Sequence, residues 1–378
     1  MTGNRTYLRG YYGHKNIGDD VFCVVADWTF KNKFGLKNAH VQGLDLPQLK
    51  YIQSSKLSAN KYIKYGQLYM EALKSSNIIH VGGSTFGDGA TSIVDVRNIY
   101  QYKKLYALGI SVGPFKTKAD FNYIKNYLNK FRYVSVRDQQ SMDYVQEMRL
   151  ESKVEMGFDV AALLPLIGND TSYATAEAAH TSENNRKIIG ISVCNYEKYH
   201  HGNPQKEQER EEQLLLLLSS LHEMYSGAVE FRFFIFNANA HVGDKPLTER
   251  IISQVKTYKK VTISLVDYDR DTLAFWDNMK KCDLFIGFRL HSAIMSYIAE
   301  VPFMLFEYHT KCTDFLKSVG YHPAYQVASL TAQDNASRDR LLDDLLHKKA
   351  TLVTLPPATA TNIVYKNLET CASIIQQR

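Results

Sequence analysis

The chain has 378 residues, 45% hydrophobic and 22% charged, with a formal net charge of +6. That length is enough for two globular domains, each able to bury a core without disulfides or metals. No block of five or more basic residues occurs, which excludes a nucleic-acid binder built on a basic arm, and the composition excludes disorder as the main theme.

The five cysteines, Cys23, Cys194, Cys282, Cys312 and Cys371, are odd in number, widely spaced and without a CxxC pair. Neither a disulfide framework nor a structural zinc site is expected. No apolar segment follows the N-terminus, and the apolar runs at 21–26 and 214–218 are far too short to span a bilayer. A soluble protein of a reducing compartment is expected.

In chain order, the first half alternates short apolar runs with helical patterns. Strands are predicted at Thr6–Arg9, Ile78–Gly82, Tyr106–Val112, Tyr133–Arg137 and Lys153–Met156, and helices at Asp19–Lys31, Ala119–Lys130 and Gln139–Met148. Residues 166–186 are rich in Ser, Thr, Asn and Ala without apolar period and read as a linker. Alternation then restarts. Strands are predicted at Ile188–Cys194, Glu230–Phe236, Val261–Val266, Leu284–Gly287 and Phe303–Phe306. Helices are predicted at Gln208–Met224, Leu247–Thr257, Asp271–Lys280, Ser292–Ala299 and Asp339–His347, and a last one at Thr361–Gln377.

Such alternation predicts an α/β protein of two Rossmann-like domains, their parallel sheets facing a central cleft where ligands bind. The expected division is an N-terminal domain over 1–170, a C-terminal domain over 186–350, and a segment 351–378 whose helix returns to the first domain. Among 25 tyrosines, Tyr62, Tyr65 and Tyr69 fall at helical spacing, which favours core packing; Tyr100, Tyr102 and Tyr106 form a second dense group. Stacking on sugar rings is the alternative use of such residues.

Five segments carry candidate chemistry. In Arg9-Gly10-Tyr11-Tyr12-Gly13-His14-Lys15-Asn16-Ile17-Gly18-Asp19-Asp20, a strand enters a glycine-rich turn and then a helix start. Free N–H groups there suit an anion; a plain turn capped by Asp19 is the competing reading. The segment fits neither the dinucleotide nor the P-loop pattern. Gly82-Gly83-Ser84-Thr85 follows a strand and offers a loop with many donors, or simply a strand-to-helix connection. Arg137-Asp138 ends another strand. Its guanidinium can hold a carboxylate or phosphate in two bonds, or pair with an aspartate to order the turn.

Arg289-Leu290-His291-Ser292 is the sharpest segment: a guanidinium, an imidazole and a helix start converge after a buried strand. Tyr308 and Lys311 follow the next strand, Lys311 adding a cation or standing as an ordinary helix-start lysine. No HExxH, metal-spaced Cys/His cluster or GxSxG occurs, so no metal and no cofactor is expected.

Taken in order, these pieces, with Gly109-Ile110-Ser111-Val112-Gly113-Pro114, resemble the polysaccharide pyruvyl transferase family, of GT-B-like architecture, from Tyr11 to Lys311. The resemblance implies transfer of pyruvate from phosphoenolpyruvate onto two hydroxyls of a sugar, forming a ketal for cell-surface polysaccharide, with Arg137, Arg289 and His291 catalytic. It places substrate binding at Gly13, Asn16 and Asp19, at Gly82, Gly83 and Ser84, and at Leu290, Ser292, Tyr308 and Lys311. Ser84 stands where the family often has a third glycine, and Val160 where it has proline after the aspartate matched by Asp159.

The implied partners are phosphoenolpyruvate and a sugar or oligosaccharide acceptor, lipid-linked acceptors included, and no nucleic acid. The expected location is cytoplasmic, the inner face of the membrane and peripheral association with it included. Two alternatives stay open: a GT-B glycosyltransferase using a nucleotide-activated sugar, with Asn237–Asp244 as a loop for the nucleotide, and a non-catalytic carbohydrate-binding protein.

Overall fold

The computed structural model describes residues 5–35, 38–87, 103–173, 186–200, 202–348 and 351–377. Contacts divide the chain into two compact units: unit 1 holds 1–15, 19–167 and 358–378, and unit 2 holds 16–18 and 168–357. The predicted linker lies partly outside the described residues; its first part is the short helix Leu164–Gly168 and the 3-10 turn Thr171–Tyr173.

Unit 1 is built on a sheet of order β3-β2-β1-β4-β5-β6-β7. Its strands are β1 Arg5–Arg9, β2 Asn38–Gly43, β3 Gln53–Lys56, β4 Asn77–Val81, β5 Lys104–Ile110, β6 Phe131–Val136 and β7 Lys153–Met156. All neighbours are parallel. The central strands are nearly continuous apolar runs because helices cover parallel sheets on both faces; β4 is buried along its whole length. The strands missed in the sequence, β2 and β3, approach one edge. β3 reads QSSK and is mostly exposed, so it carries no apolar signal. Helices of this unit among the described residues include α1 Ile17–Thr29, α2 Lys61–Lys74, α3 Lys118–Leu128 and α4 Gln139–Met148.

The helical spacing of Tyr62, Tyr65 and Tyr69 is real, since all three lie on α2, but of the three only Tyr65 packs against the core. Tyr62 is 84% and Tyr69 47% exposed. The face of α2 turned inward is instead Leu68, Glu71 and Ala72. Tyr106, by contrast, is fully buried in β5; Tyr100 and Tyr102 lie outside the described residues.

Unit 2 holds a parallel sheet of order β10-β9-β8-β11-β12. Its strands are β8 Lys187–Ser192, β9 Val229–Phe234, β10 Thr262–Val266, β11 Leu284–Gly287 and β12 Phe303–Leu305. The long helices are α5 Pro204–Met224, α6 Lys245–Val255, α7 Thr272–Lys280, α8 Leu290–Ile298, α9 Thr310–Ser318 and α10 Asn335–Leu346. A ring cluster of Phe234, Phe236, Phe275 and Phe285 joins β9, α7 and β11.

The last helix, α11 Pro357–Gln376, belongs from Ala358 onward to unit 1. Thr361 donates to the Ala162 carbonyl at 2.7 Å, and Asn367 donates to Glu155 and to the Met156 carbonyl.

Both strand orders reverse direction beside their first strand, between β1 and β4 in unit 1 and between β8 and β11 in unit 2. In open α/β sheets, ligands bind outside the carboxyl ends of strands at such switch points. The glycine-rich turn follows β1 and Gly82-Gly83 follows β4; Arg289 and His291 follow β11.

Candidate active site

In unit 1, Gly13 has φ +73°, and a side chain there would press on the Asp45 backbone. Its N–H donates to the buried Asp20 carboxylate at 2.9 Å. Asn16 caps α1, accepting from the Gly18 N–H at 3.2 Å. Asp19 lies inside the first turn of α1. Gly82 and Gly83 both have positive φ, which glycine adopts without steric cost; a side chain at Gly82 would collide with the Phe22 ring.

Arg137, at the end of β6, ties this loop system together. Its Nε donates to Ser111 Oγ at 2.7 Å, Nη1 to Asp159 Oδ2 at 2.7 Å and Nη2 to Ser84 Oγ at 3.1 Å. Those partners follow β5, β7 and β4 respectively. The Arg137 and Asp159 side chains are 7% and 4% exposed. Asp138 caps α4 through the Ser141 N–H and also accepts from the Ser111 hydroxyl. Every nitrogen of the guanidinium is therefore engaged, and Ser111, to which the sequence reading gave no role, is a hub of the network.

In unit 2, α8 starts directly after β11, with Arg289 at its N-cap. Asp244 is wholly buried and accepts from Arg289 Nε at 2.9 and 3.0 Å and from Nη2. Burial alone would lower the pKa of Arg289, but Asp244 outweighs it, so the guanidinium stays charged. Nη1 forms no hydrogen bond with the described residues.

The loop after β9, weighed above as a nucleotide site, folds around Asp244. Asn237 N–H donates to its carboxylate at 2.9 Å, and its own N–H donates to the Asn237 carbonyl at 2.8 Å. Sequence reading had no signal for the Asp244–Arg289 pair, because the partners are 45 positions apart and only the β9–β8–β11 order brings them together.

His291 is half-buried in the first turn of α8. Asn16, Ile17 and Gly18 group with this unit: Ile17 N–H donates to the Phe236 carbonyl at 2.9 Å, and Asn16 bridges Asn237. A methyl group at Gly18 would collide with the His291 ring at Nδ1. The glycine of the N-terminal turn is thus the seat of the histidine.

Ser292 is fully buried and its hydroxyl donates to the Arg289 carbonyl at 2.6 Å, closing the first turn. Leu290 is half-buried beside it. Tyr308 lies after β12 with its ring 4.6 Å from that of Tyr196; burial pushes its hydroxyl far above the usual phenol range, so it stays protonated. Lys311 is in the first turn of α9, where its N–H is capped by His309 Nδ1 at 3.1 Å. Burial also raises Cys194, at the end of β8, to about 11. Among the described residues, no group of three or more His, Cys, Asp or Glu is placed to hold a metal ion.

Chemically, unit 2 places a fixed guanidinium and an imidazole after β11, with a neutral phenol and a helix-start lysine after the neighbouring β12. These are groups that hold anions and move protons.

Several solved structures share the fold. The UDP-GlcNAc 2-epimerase of Methanocaldococcus jannaschii is 12% identical with a TM-score of 0.57, covering 96% of this chain and 98% of its own. MnaA of S. aureus, solved with UDP, gives 0.59 at 8% identity over 99% and 97%. The Neisseria meningitidis UDP-GlcNAc 2-epimerase gives 0.55 at 10% over 97% and 99%. At these identities the likeness shows the fold alone, which is GT-B-like with two parallel sheets. Among curated proteins, the amylovoran biosynthesis protein AmsJ of Erwinia amylovora is 24% identical over 268 residues. The match covers 68% of this chain and 63% of AmsJ, so it spans less than two thirds of that relative. The model of the family described as polysaccharide pyruvyl transferase matches residues 7–310, from β1 to the start of α9, and the chain belongs to that family.

Proposed function

We propose that this protein transfers pyruvate from phosphoenolpyruvate onto two hydroxyls of a sugar, in the cytoplasm, as a step in exopolysaccharide biosynthesis. The family supports a pyruvyl transfer, and AmsJ supports the polysaccharide context. The observation that carries the reading is the nesting of His291 on Gly18, beside an arginine whose orientation is fixed by Asp244.

In this reading, unit 2 handles the donor. Arg289, held by Asp244, directs Nη1 to the donor's carboxylate or phosphate. Lys311 adds a second cation, and Tyr308 donates a hydrogen bond. His291 protonates the methylene carbon of the enol, leaving an oxocarbenium-like centre at the adjacent carbon. One sugar hydroxyl attacks that carbon, the carbon–oxygen bond to phosphate breaks, and the second hydroxyl closes the ketal. The two hydroxyl protons end on the new methyl group and on the phosphate. A positioned acid contributes about 10²–10⁴ in rate, and fixed cations stabilise the departing phosphate. Arg137 has a supporting role: it fastens the Ser84 loop to the ends of β5 and β7.

The test is incubation of the purified protein with phosphoenolpyruvate and a panel of sugar acceptors, following phosphate release and product mass. The expected product is the acceptor plus one pyruvate less one water, with one phosphate released per product. Sugar transfer from a nucleotide sugar without any response to phosphoenolpyruvate would overturn the reading.

A further inference from the structure

Helix α2 reads KYIKYGQLYMEALK over Lys61–Lys74 and presents the wrong residues to water. Tyr62, Ile63, Tyr69, Met70 and Leu73 are exposed by 84, 58, 47, 51 and 49%. At 3.6 residues per turn, positions 62, 69 and 73 line up on one stripe, and 63 and 70 lie beside it. The result is one continuous apolar face with two tyrosines, on the side of the helix away from Leu68 and Ala72.

The exposed charges at the ends of this helix are of one sign. Lys61 and Lys74 are exposed at the two ends of the helix, and Lys56 is exposed at the end of β3. Lys103 reaches the C-terminal turn, donating to the Leu73 carbonyl at 3.2 Å. The helix carries one acid, Glu71, which is buried and ion-paired to Arg5. No exposed carboxylate of α2 offsets the lysines.

We propose that α2 docks this protein on the surface of an anionic lipid bilayer, lying in the interface with its apolar face inserted. An apolar face with lysines at the ends of its helix suits the interface, where binding adds buried apolar area to attraction for anionic lipid. Tyrosine, with an apolar body and a polar tip, suits the headgroup level. No helix among the described residues is long and apolar enough to cross a membrane, so the contact is one of lying on the surface.

A second copy of the chain fits this face poorly. In a two-fold contact, the lysines at the helix ends would add like charge to both sides and no carboxylate of α2 would offset it. The topology adds a consequence. α2 follows the carboxyl end of β3, so its first turn lies at the same end of the sheet as the loops after β1 and β4. Burial, and then the charge of Lys64, lower the pKa of His14 in the glycine-rich turn. Tyr11, stacked on His14 at 4.0 Å, is itself 55% exposed. A bilayer under α2 would therefore lie near the unit 1 loops, on the side from which a membrane-borne substrate arrives. The docking itself does not depend on which reaction the protein catalyses.

Flotation of the full chain with vesicles tests this, using phosphatidylcholine alone and with phosphatidylglycerol added. The protein should float with the anionic vesicles, remain behind with the neutral ones, and be released by high salt. The variant Tyr62→Gln/Tyr69→Gln/Leu73→Gln, whose substitutions are exposed and helix-compatible, should keep its melting temperature and lose vesicle binding at least about tenfold. Lys61→Gln/Lys74→Gln should weaken binding roughly fivefold per lysine removed. Equal behaviour of wild type and both variants would overturn the proposal, as would absence of flotation. So would a concentration-dependent dimer that the triple variant abolishes in a protein that ignores vesicles.

Discussion

Arg137 and Arg289 occupy corresponding places, each at the carboxyl end of a central strand, each beside a helix start and each paired with a buried aspartate. Their environments differ in what is left over. Arg137 spends all three nitrogens on Ser111, Asp159 and Ser84, and so joins the loops after four neighbouring strands. Arg289 spends two nitrogens on one carboxylate and keeps Nη1, with its side chain 17% exposed. The same residue type thus acts as a fastener in one sheet and as an oriented, unsaturated cation in the other. What differs between the two is the number of donors each guanidinium retains after folding, not its position at a strand end.

The largest expected effect belongs to the second site. His291→Ala should reduce turnover by about 10²–10⁴ while leaving the melting temperature near that of wild type. A folded His291→Ala protein with near-normal turnover would falsify the acid role. Next is the pairing itself. Asp244→Ala strands a buried guanidinium and should cost about 3–5 kcal/mol in urea unfolding. Asp244→Ala/Arg289→Met should recover much of that loss without recovering activity. Arg137→Ala should destabilise by a similar about 3–5 kcal/mol, since it strands Asp159, yet its folded fraction should lose less turnover than Arg289→Met/Asp244→Ala. If the two arginine variants lose activity alike, the distinction between fastener and binder fails.

Smaller again is Gly18→Ala, where the added methyl must displace the His291 ring. Overpacking of this kind costs roughly 1–3 kcal/mol, and turnover should fall more than stability. The least effect is expected in acid. Burial tends to raise the carboxyl of Glu155, but hydrogen bonds from Tyr133, Lys153 and Asn367 outweigh it and hold its pKa below the ordinary 4.5. Its contribution is present above that value and is lost as pH falls through the lower, folded one. The stability gap between wild type and Glu155→Gln should therefore narrow below pH 4.5 and be steady above it.

The α/β order was legible because buried parallel strands are apolar and short, as in β4, β5 and β11. The strands β2 and β3 were not, because NAHVQG and QSSK carry too few apolar side chains to stand out from loops. Periodicity placed Tyr62 and Tyr69 on one helix face but could not tell which face the sheet would take. Leu68 and Ala72, with the Arg5–Glu71 pair, decided it. Around Arg289 and His291, the strand-to-helix junction was visible in a single stretch of chain. Asp244 and Gly18 were not visible as its partners, because both come from elements that only the folded topology brings to the end of β11.

The return of α11 to unit 1 shapes how the molecule is made. On a ribosome, the strands of unit 1 emerge before 168–357, but Cys371, Leu368 and Val364, all buried, emerge only after it. Until then β7 lacks the Asn367 contact to Glu155, and the whole of 168–357 has been synthesised in between. The second unit is therefore a nascent globule that lies in sequence between a long and a short segment of an unfinished one. Interrupting translation before Pro357 should release a product in which unit 2 is complete and unit 1 is the exposed, protease-sensitive part.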